Sequence, residues 1–347
     1  MRPRSYFEIF SSFVSLRPRP EQVWNVAKYA CRHFLTGFSP VVTHAPLSVG
    51  VLVTYRCNLN CPDCFVNNAV NRTEYREADM TATEFERYIT HPLARKAFRV
   101  SFSGGEPLLN PALPEFVRIA RRERKYTYLI TNGLLLEKNI EALVNAQLDI
   151  LRVSLYESSL EKQIAGIHAA QKQRVPFKIY LSSFVGAKNY SFCEEMIKLA
   201  IDLKIDRLNV QAYDLPLSVT PEDPAAENII WDDNKEAMAF FDGLRRQYGS
   251  RLKFSLPNPV SRKPVVRQLC NQLVTIFFFD RHGLLSPCGC IFPCEKRYGS
   301  LEDSTGWNSE YMVRFRRDFV GKFPFHKTCQ TCWWAARMAD DDSDFIY

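Results

Sequence analysis

The sequence has no long hydrophobic run. Stretches such as Ile276 to Phe279 fall far short of the roughly 20 apolar residues that a membrane-spanning helix needs. It also lacks a secretory cleavage site. The basic, partly apolar start MRPRSYFEIFSSFVSLRPRP is interrupted by Glu8, and Arg-Pro repeats stand where small residues belong. No internal repeat, no low-complexity tract and no basic run interleaved with aromatics is present, which argues against a solenoid, a linker protein and a nucleic-acid binder. The expected location is cytoplasmic, with no transmembrane segment.

What is present fits a globular chain: 347 residues, 46% apolar and 24% charged, enough for one large domain and a smaller one. Net charge is +7, with basic clusters at 121–125 and 314–317. They read first as solvated helix faces; an acidic electron-donor protein or a phosphate-bearing substrate would also suit them. Eleven cysteines are many for an intracellular chain and indicate metal rather than disulfides. Cys57, Cys61 and Cys64 form one group; Cys270, Cys288, Cys290, Cys294, Cys329 and Cys332 form another. Cys31 and Cys193 stand alone in helix-like segments and read as buried apolar fillers.

From about residue 47 the chain alternates strand-like and helix-like segments. Six strands with helices between them predict an α/β fold, a partial (β/α)6 TIM-like barrel around a parallel sheet. Chemistry in such folds sits at the carboxyl ends of the strands. There lie CNLNCPDC after the first strand, SGGEP after the second, TNG after the third and SLY at the fourth. The proline-rich 257–264 marks a boundary, giving a helical extension (1–45), a barrel (46–256) and a small cysteine-rich C-terminal domain (257–347). The helix within EQVWNVAKYACRHFL is expected to cap the barrel by its apolar face; membrane-surface association stays open.

A four-iron cubane takes one protein ligand per iron, so three cysteines within eight residues leave one iron for another ligand. A zinc knuckle is the alternative, but no fourth Cys or His follows within a dozen residues. The C-x3-C-x2-C spacing after a first strand, with GGEP after the second, resembles the radical S-adenosylmethionine (radical SAM) superfamily. The resemblance implies that Cys57, Cys61 and Cys64 bind a [4Fe–4S] cluster with SAM at its free iron. It places Gly104, Gly105, Glu106 and Pro107 at the methionine amine of SAM, where an acceptor suits an ammonium, and Asn132 and Ser154 as polar neighbours of SAM. Two positions depart from the family pattern: Asp63 replaces an aromatic before the third cysteine, and Tyr156-Glu157 replaces Asp-Gly.

Cys270, Gly283 and Cys288, spaced C-x12-G-x4-C, followed by Cys329 and Cys332, resemble the SPASM/twitch-type extension of that superfamily. They imply one auxiliary [4Fe–4S] cluster on Cys270, Cys288, Cys329 and Cys332, with Cys290 and Cys294 as alternates; zinc is the competing metal. Trp333 and Trp334 are expected to shield it.

The function implied is a radical SAM oxidoreductase. It would abstract hydrogen from a small sugar-, amino-acid- or lipid-like substrate, with the auxiliary cluster taking an electron. A flavodoxin- or ferredoxin-type donor would supply reducing electrons. The alternative is a peptide-modifying maturase that crosslinks or epimerises, and a remote one is a non-enzymatic zinc scaffold. Asp149, Tyr156 and Glu157 are further candidates for substrate contact.

Overall fold

The computed structural model describes residues 13, 16–35, 39–61, 64, 66, 78–212, 227–260, 270–302, 306–319, 329 and 332. Asp63, Trp333 and Trp334 lie outside the described residues, as does the second half of the 257–264 boundary.

Six parallel strands run side by side in chain order: β1 (Ser48–Thr54), β2 (Arg99–Gly104), β3 (Tyr126–Thr131), β4 (Ile150–Ser154), β5 (Lys178–Val185) and β6 (Arg207–Ala212). Helices connect them: α2 (Ala82–Ile89) and α3 (Pro92–Arg95), α4 (Leu113–Arg122), α5 (Leu136–Asn145), α6 (Leu160–Lys172) and α7 (Phe192–Asp202). The α/β partial barrel expected from the alternation is the fold observed. A helix α1 (Pro20–Leu35) precedes β1, and α8 (Lys235–Tyr248) follows β6. A two-residue β7 (Phe254–Ser255) extends the sheet beyond β6.

The sheet also grows from β1. Past the proline-rich stretch, α9 (Gln272–Thr275) leads into β8 (Ile276–Phe279), which pairs parallel to β1, and β9 (Leu285–Ser286) returns antiparallel. Helix α10 (Glu310–Phe319) follows. The order is therefore β7-β6-β5-β4-β3-β2-β1-β8-β9.

Alternation along the strands divides the interior. Val49, Val51, Val53, Val100, Phe102, Leu129, Leu151, Val153, Leu181, Leu208 and Val210 share one buried core with the helices. The opposite, concave face carries Arg99, Ser101, Tyr128, Arg152, Ser154, Tyr180, Ser182 and Gln211. Local chemistry sets the helix ends: Thr81 caps α2 by accepting from Glu84 N, while the Glu84 carboxylate accepts from Thr81 N at 2.7 Å, a reciprocal box worth about 1 kcal/mol.

Helix α1 docks on the barrel, and among its described side chains the buried ones are polar. Buried Gln22 and Asn25 donate to the carbonyls of Ala97, Ala45 and Pro46, whereas Val23 and Trp24 are exposed. Its Cys31 is exposed too, so the reading of that thiol as a buried filler fails; Cys193, fully buried in α7, fits it. Asp149 lies at the amino end of β4, pairing with Arg121 and Thr127. It is therefore remote from the strand ends that the sequence suggested for it.

Candidate functional site: the carboxyl ends of the strands

The cysteine loop leaves β1 at Thr54. Its base is held by Asp79, which accepts from Thr54 Oγ1 at 2.7 Å and from Arg56 Nε at 3.0 Å. Cys57, Cys61 and Cys64 are all half-buried there. Cys57 Sγ accepts from Leu59 N at 3.4 Å, and Cys64 N donates to Cys61 O at 3.3 Å. Burial raises the Cys57 thiol above its ordinary range, against the pull of the Leu59 N–H.

The SGGEP segment folds against this loop. Gly105 N donates to Thr54 O and Glu106 N to Arg56 O, both at 2.8 Å. A Cβ on Gly104 (φ +126°) would stand 2.2 Å from Thr54 O, and one on Gly105 2.0 Å from Arg56 O. The glycines are thus required by contact with the backbone at the end of β1 and the start of the cysteine loop. Glu106 is buried and accepts three hydrogen bonds, from Leu108 N (3.0 Å), Thr131 Oγ1 (2.6 Å) and Asn132 N (2.8 Å). Burial pushes its carboxyl up while these donors pull it down. Pro107 begins the following buried turn.

Asn132, at the end of β3, donates to Asn58 Oδ1 at 2.7 Å and so touches the cysteine loop directly. Ser154, at the end of β4, lies 3.3 Å from the Ser182 hydroxyl. Gln163 of α6, not foreseen in the sequence, joins the two strand ends. Its Nε2 donates to Asn132 O and Ser154 O at 2.7 and 2.8 Å, and its Oε1 accepts from Tyr156 N. Burial and the three thiols of the loop raise the Tyr156 phenol well above its usual range, which places it facing them. The structure therefore brings together the residues that the sequence scattered over about 100 positions.

The second cysteine group divides. Cys290 is within hydrogen-bond reach of Cys288 and 3.9 Å from Cys332 Sγ, and Cys270 is acted on by Cys332 and Cys288. Cys270, Cys288, Cys329 and Cys332 belong to the helix-side core. Cys294 does not. It is fully buried in a separate cluster with Leu52, Tyr55, Phe278 and Phe292, against which Cys64 packs. Burial raises its thiol strongly, and the Tyr55 hydroxyl, which donates to Asp280 Oδ2 at 3.3 Å, lies beside it. Among the described residues no three ligand-type side chains already form a closed metal shell. The fit to a metal centre rests on thiol chemistry and on which sulfurs share a face.

Three half-buried thiols on one loop suit a thiolate-loving centre with an open position. Residues 51–192 match the model of the Radical SAM superfamily, and that part of the chain is a radical SAM domain. The cofactors of that centre are a [4Fe–4S] cluster with three cysteine ligands and S-adenosylmethionine.

Among curated relatives, this chain is similar to the PqqA peptide cyclase of Gluconobacter oxydans. They are 31% identical over 48% of this chain and 49% of the relative. The PqqA peptide cyclase of Xanthomonas axonopodis pv. citri is 28% identical over 83% of this chain and 80% of that one. The matched region spans about half the length of the first of these relatives. SuiB of Streptococcus suis, solved with S-adenosylmethionine bound, shares the fold at a TM-score of 0.58. It is 19% identical, covering 78% of this chain and 68% of SuiB. No helix among the described residues is long and apolar enough to cross a membrane.

Proposed function

We propose that this chain is a radical SAM enzyme that modifies a peptide. The alignment with a PqqA peptide cyclase over 83% of the chain carries this reading. It favours the maturase alternative over the small-molecule oxidoreductase that the cysteine pattern first suggested. When bound, the cluster and SAM supply a 5′-deoxyadenosyl radical that takes a hydrogen atom from carbon.

In this reading Cys57, Cys61 and Cys64 are the cluster ligands. Gly104, Gly105, Glu106 and Pro107 form the wall at the methionine end of SAM. The Glu106 carboxylate already accepts from three donors, so its part is to brace that wall, and backbone carbonyls of the segment remain to accept from the ammonium. Asn132 and Ser154, tied together by Gln163, line the same end. Tyr156 closes the loop side and limits water.

Cys270, Cys288, Cys329 and Cys332 are proposed to hold an auxiliary [4Fe–4S] cluster, with Cys290 as the neighbouring thiol, within a C-terminal unit at 257–347. A flavodoxin- or ferredoxin-type protein is the proposed electron donor. The test is anaerobic reconstitution with dithionite, SAM and candidate precursor peptides. Mass spectrometry of the peptide should show loss of two hydrogens for a crosslink, or deuterium uptake from solvent for epimerisation. Turnover of sugars or free amino acids with no change in any peptide would overturn the reading.

A further inference from the structure

The concave face of the barrel holds a cationic group that neither the cofactors nor the strand-end residues use. Arg99, the first residue of β2, is 2% exposed. Its Nε and Nη2 have no hydrogen-bond partner among the described residues. Its guanidinium stacks 4.4 Å from the centre of the Tyr128 ring. Burial lowers its pKa to about 10; Tyr128, Tyr126 and Tyr180 oppose this shift, and Arg152, of like sign, adds to it. A guanidinium stays protonated under such conditions. A buried, unpaired charge is strongly unfavourable, and burial becomes tolerable when an anion accepts from its fork.

The same face offers two more unanswered polar atoms. Ser101 Oγ on β2 and Gln211 Nε2 on β6 are buried without partners among the described residues. A row of rings leads outward from Arg99: Tyr128 meets Tyr180 edge-on at 6.4 Å, and Arg207 lies 5.9 Å from the Tyr180 ring. Tyr180 and Arg207 also line a pocket of about 290 Å³ together with Lys178, Asp206, Arg251 and Lys253. Four cations against one carboxylate give that mouth a positive field, which would draw in an anionic segment.

We propose that Arg99 binds a substrate carboxylate at the floor of the barrel, the side chain of an acidic residue in the peptide. The inference rests on the peptide-modifying reading and names the chemistry that this reading leaves open. The planar fork of Arg99 matches a carboxylate bidentately. Arg99 precedes Gly104 by five residues of strand, about 16 Å at ~3.3 Å per residue. A carboxylate held there and a reacting carbon beside the cysteine loop are then bridged by roughly five residues of extended chain. That separation suits a peptide and excludes a small amino acid from spanning both ends.

The experiment uses the full chain, reconstituted with iron and sulfide and loaded with SAM. Calorimetric titration compares two pentapeptides, Gly-Gly-Glu-Gly-Gly and Gly-Gly-Gln-Gly-Gly. The wild-type protein should bind the glutamate peptide at least tenfold more tightly, the range of a charge-assisted hydrogen bond. Arg99→Met should bring the two affinities to within about twofold. Equal affinity of the wild-type protein for both peptides overturns the proposal, and that comparison stands even where Arg99→Met fails to fold. Retained discrimination in a folded Arg99→Met protein overturns it as well. Formation of 5′-deoxyadenosine by the wild-type protein is measured in the same preparation. Its absence would contradict the radical SAM reading, whereas its presence with equal peptide affinities contradicts the floor site alone.

Discussion

Thr131 donates its hydroxyl to the Glu106 carboxylate at 2.6 Å, joining the end of β3 to the end of β2 below the cysteine loop. With Asn132 N on the other carboxylate oxygen, Glu106 holds three loops in one arrangement. Glu106→Gln replaces an accepting oxygen by an NH2 that faces a donor. An unsatisfied buried group of this kind is worth about 1–3 kcal/mol. Chemical denaturation should show the variant less stable by that amount, with weaker SAM binding. Unchanged stability would mean that the carboxylate does not brace the site.

Gly105 leaves no room for a side chain, since a Cβ would fall 2.0 Å from Arg56 O. Backbone cannot give way as a flexible side chain does, so Gly105→Ala should separate β2 from the cysteine loop. Overpacking of this kind destabilises by about 1–3 kcal/mol or more. The check is iron content after reconstitution, expected to fall by about half as the cluster beside this loop is lost while the auxiliary one remains. Full iron loading would contradict the contact.

His44 provides a pH test away from the site. It is buried, with Nδ1 donating to Ala45 O at 2.8 Å, and its ring meets Tyr29 edge-on at 5.3 Å. Burial, reinforced by Arg32, Arg316 and Lys28, depresses its pKa from 6.5 to about 4. The unfolded chain takes up the proton below 6.5 and the folded chain does not. His44 should therefore withdraw stability as pH falls from 6.5 to about 4, by up to about 3 kcal/mol. Denaturant midpoints against pH should fall less steeply for His44→Gln than for the wild type; parallel curves would refute it.

The auxiliary ligands separate by substitution. Two four-iron clusters give about eight irons per chain. Cys288→Ala should lower this toward four, whereas Cys294→Ala, on the opposite side of the sheet beside Tyr55, should leave it unchanged. Iron loss on Cys294→Ala would reassign the ligand set.

The barrel was legible because its strands are apolar, β-branched and punctuated at their carboxyl ends, so the cysteines, SGGEP, TNG and SLY fall on one rim. Less legible were contacts made by chemically ordinary residues. Gln163 is one polar residue among several on α6, and only its burial between two strand ends reveals its role. Arg99 reads as a charge at the start of a strand until alternation turns it inward. In helix α1 the hydrophobic pattern drew attention to an apolar seam and gave no sign that Gln22 and Asn25 dock by hydrogen bonds. Asp149 misled because closeness in sequence to β4 does not tell which end of the strand a residue flanks. Cys290 and Cys294, four residues apart, look interchangeable in sequence, yet the chain carries them to different faces of the sheet.

The central claim is tested most directly by one assay: 5′-deoxyadenosine formed from SAM by anaerobically reconstituted protein under dithionite. Wild-type protein should contain iron and form the product, and Cys61→Ala should form none. A preparation that holds zinc without iron, or a Cys61→Ala variant that cleaves SAM as well as the wild type, would contradict the account.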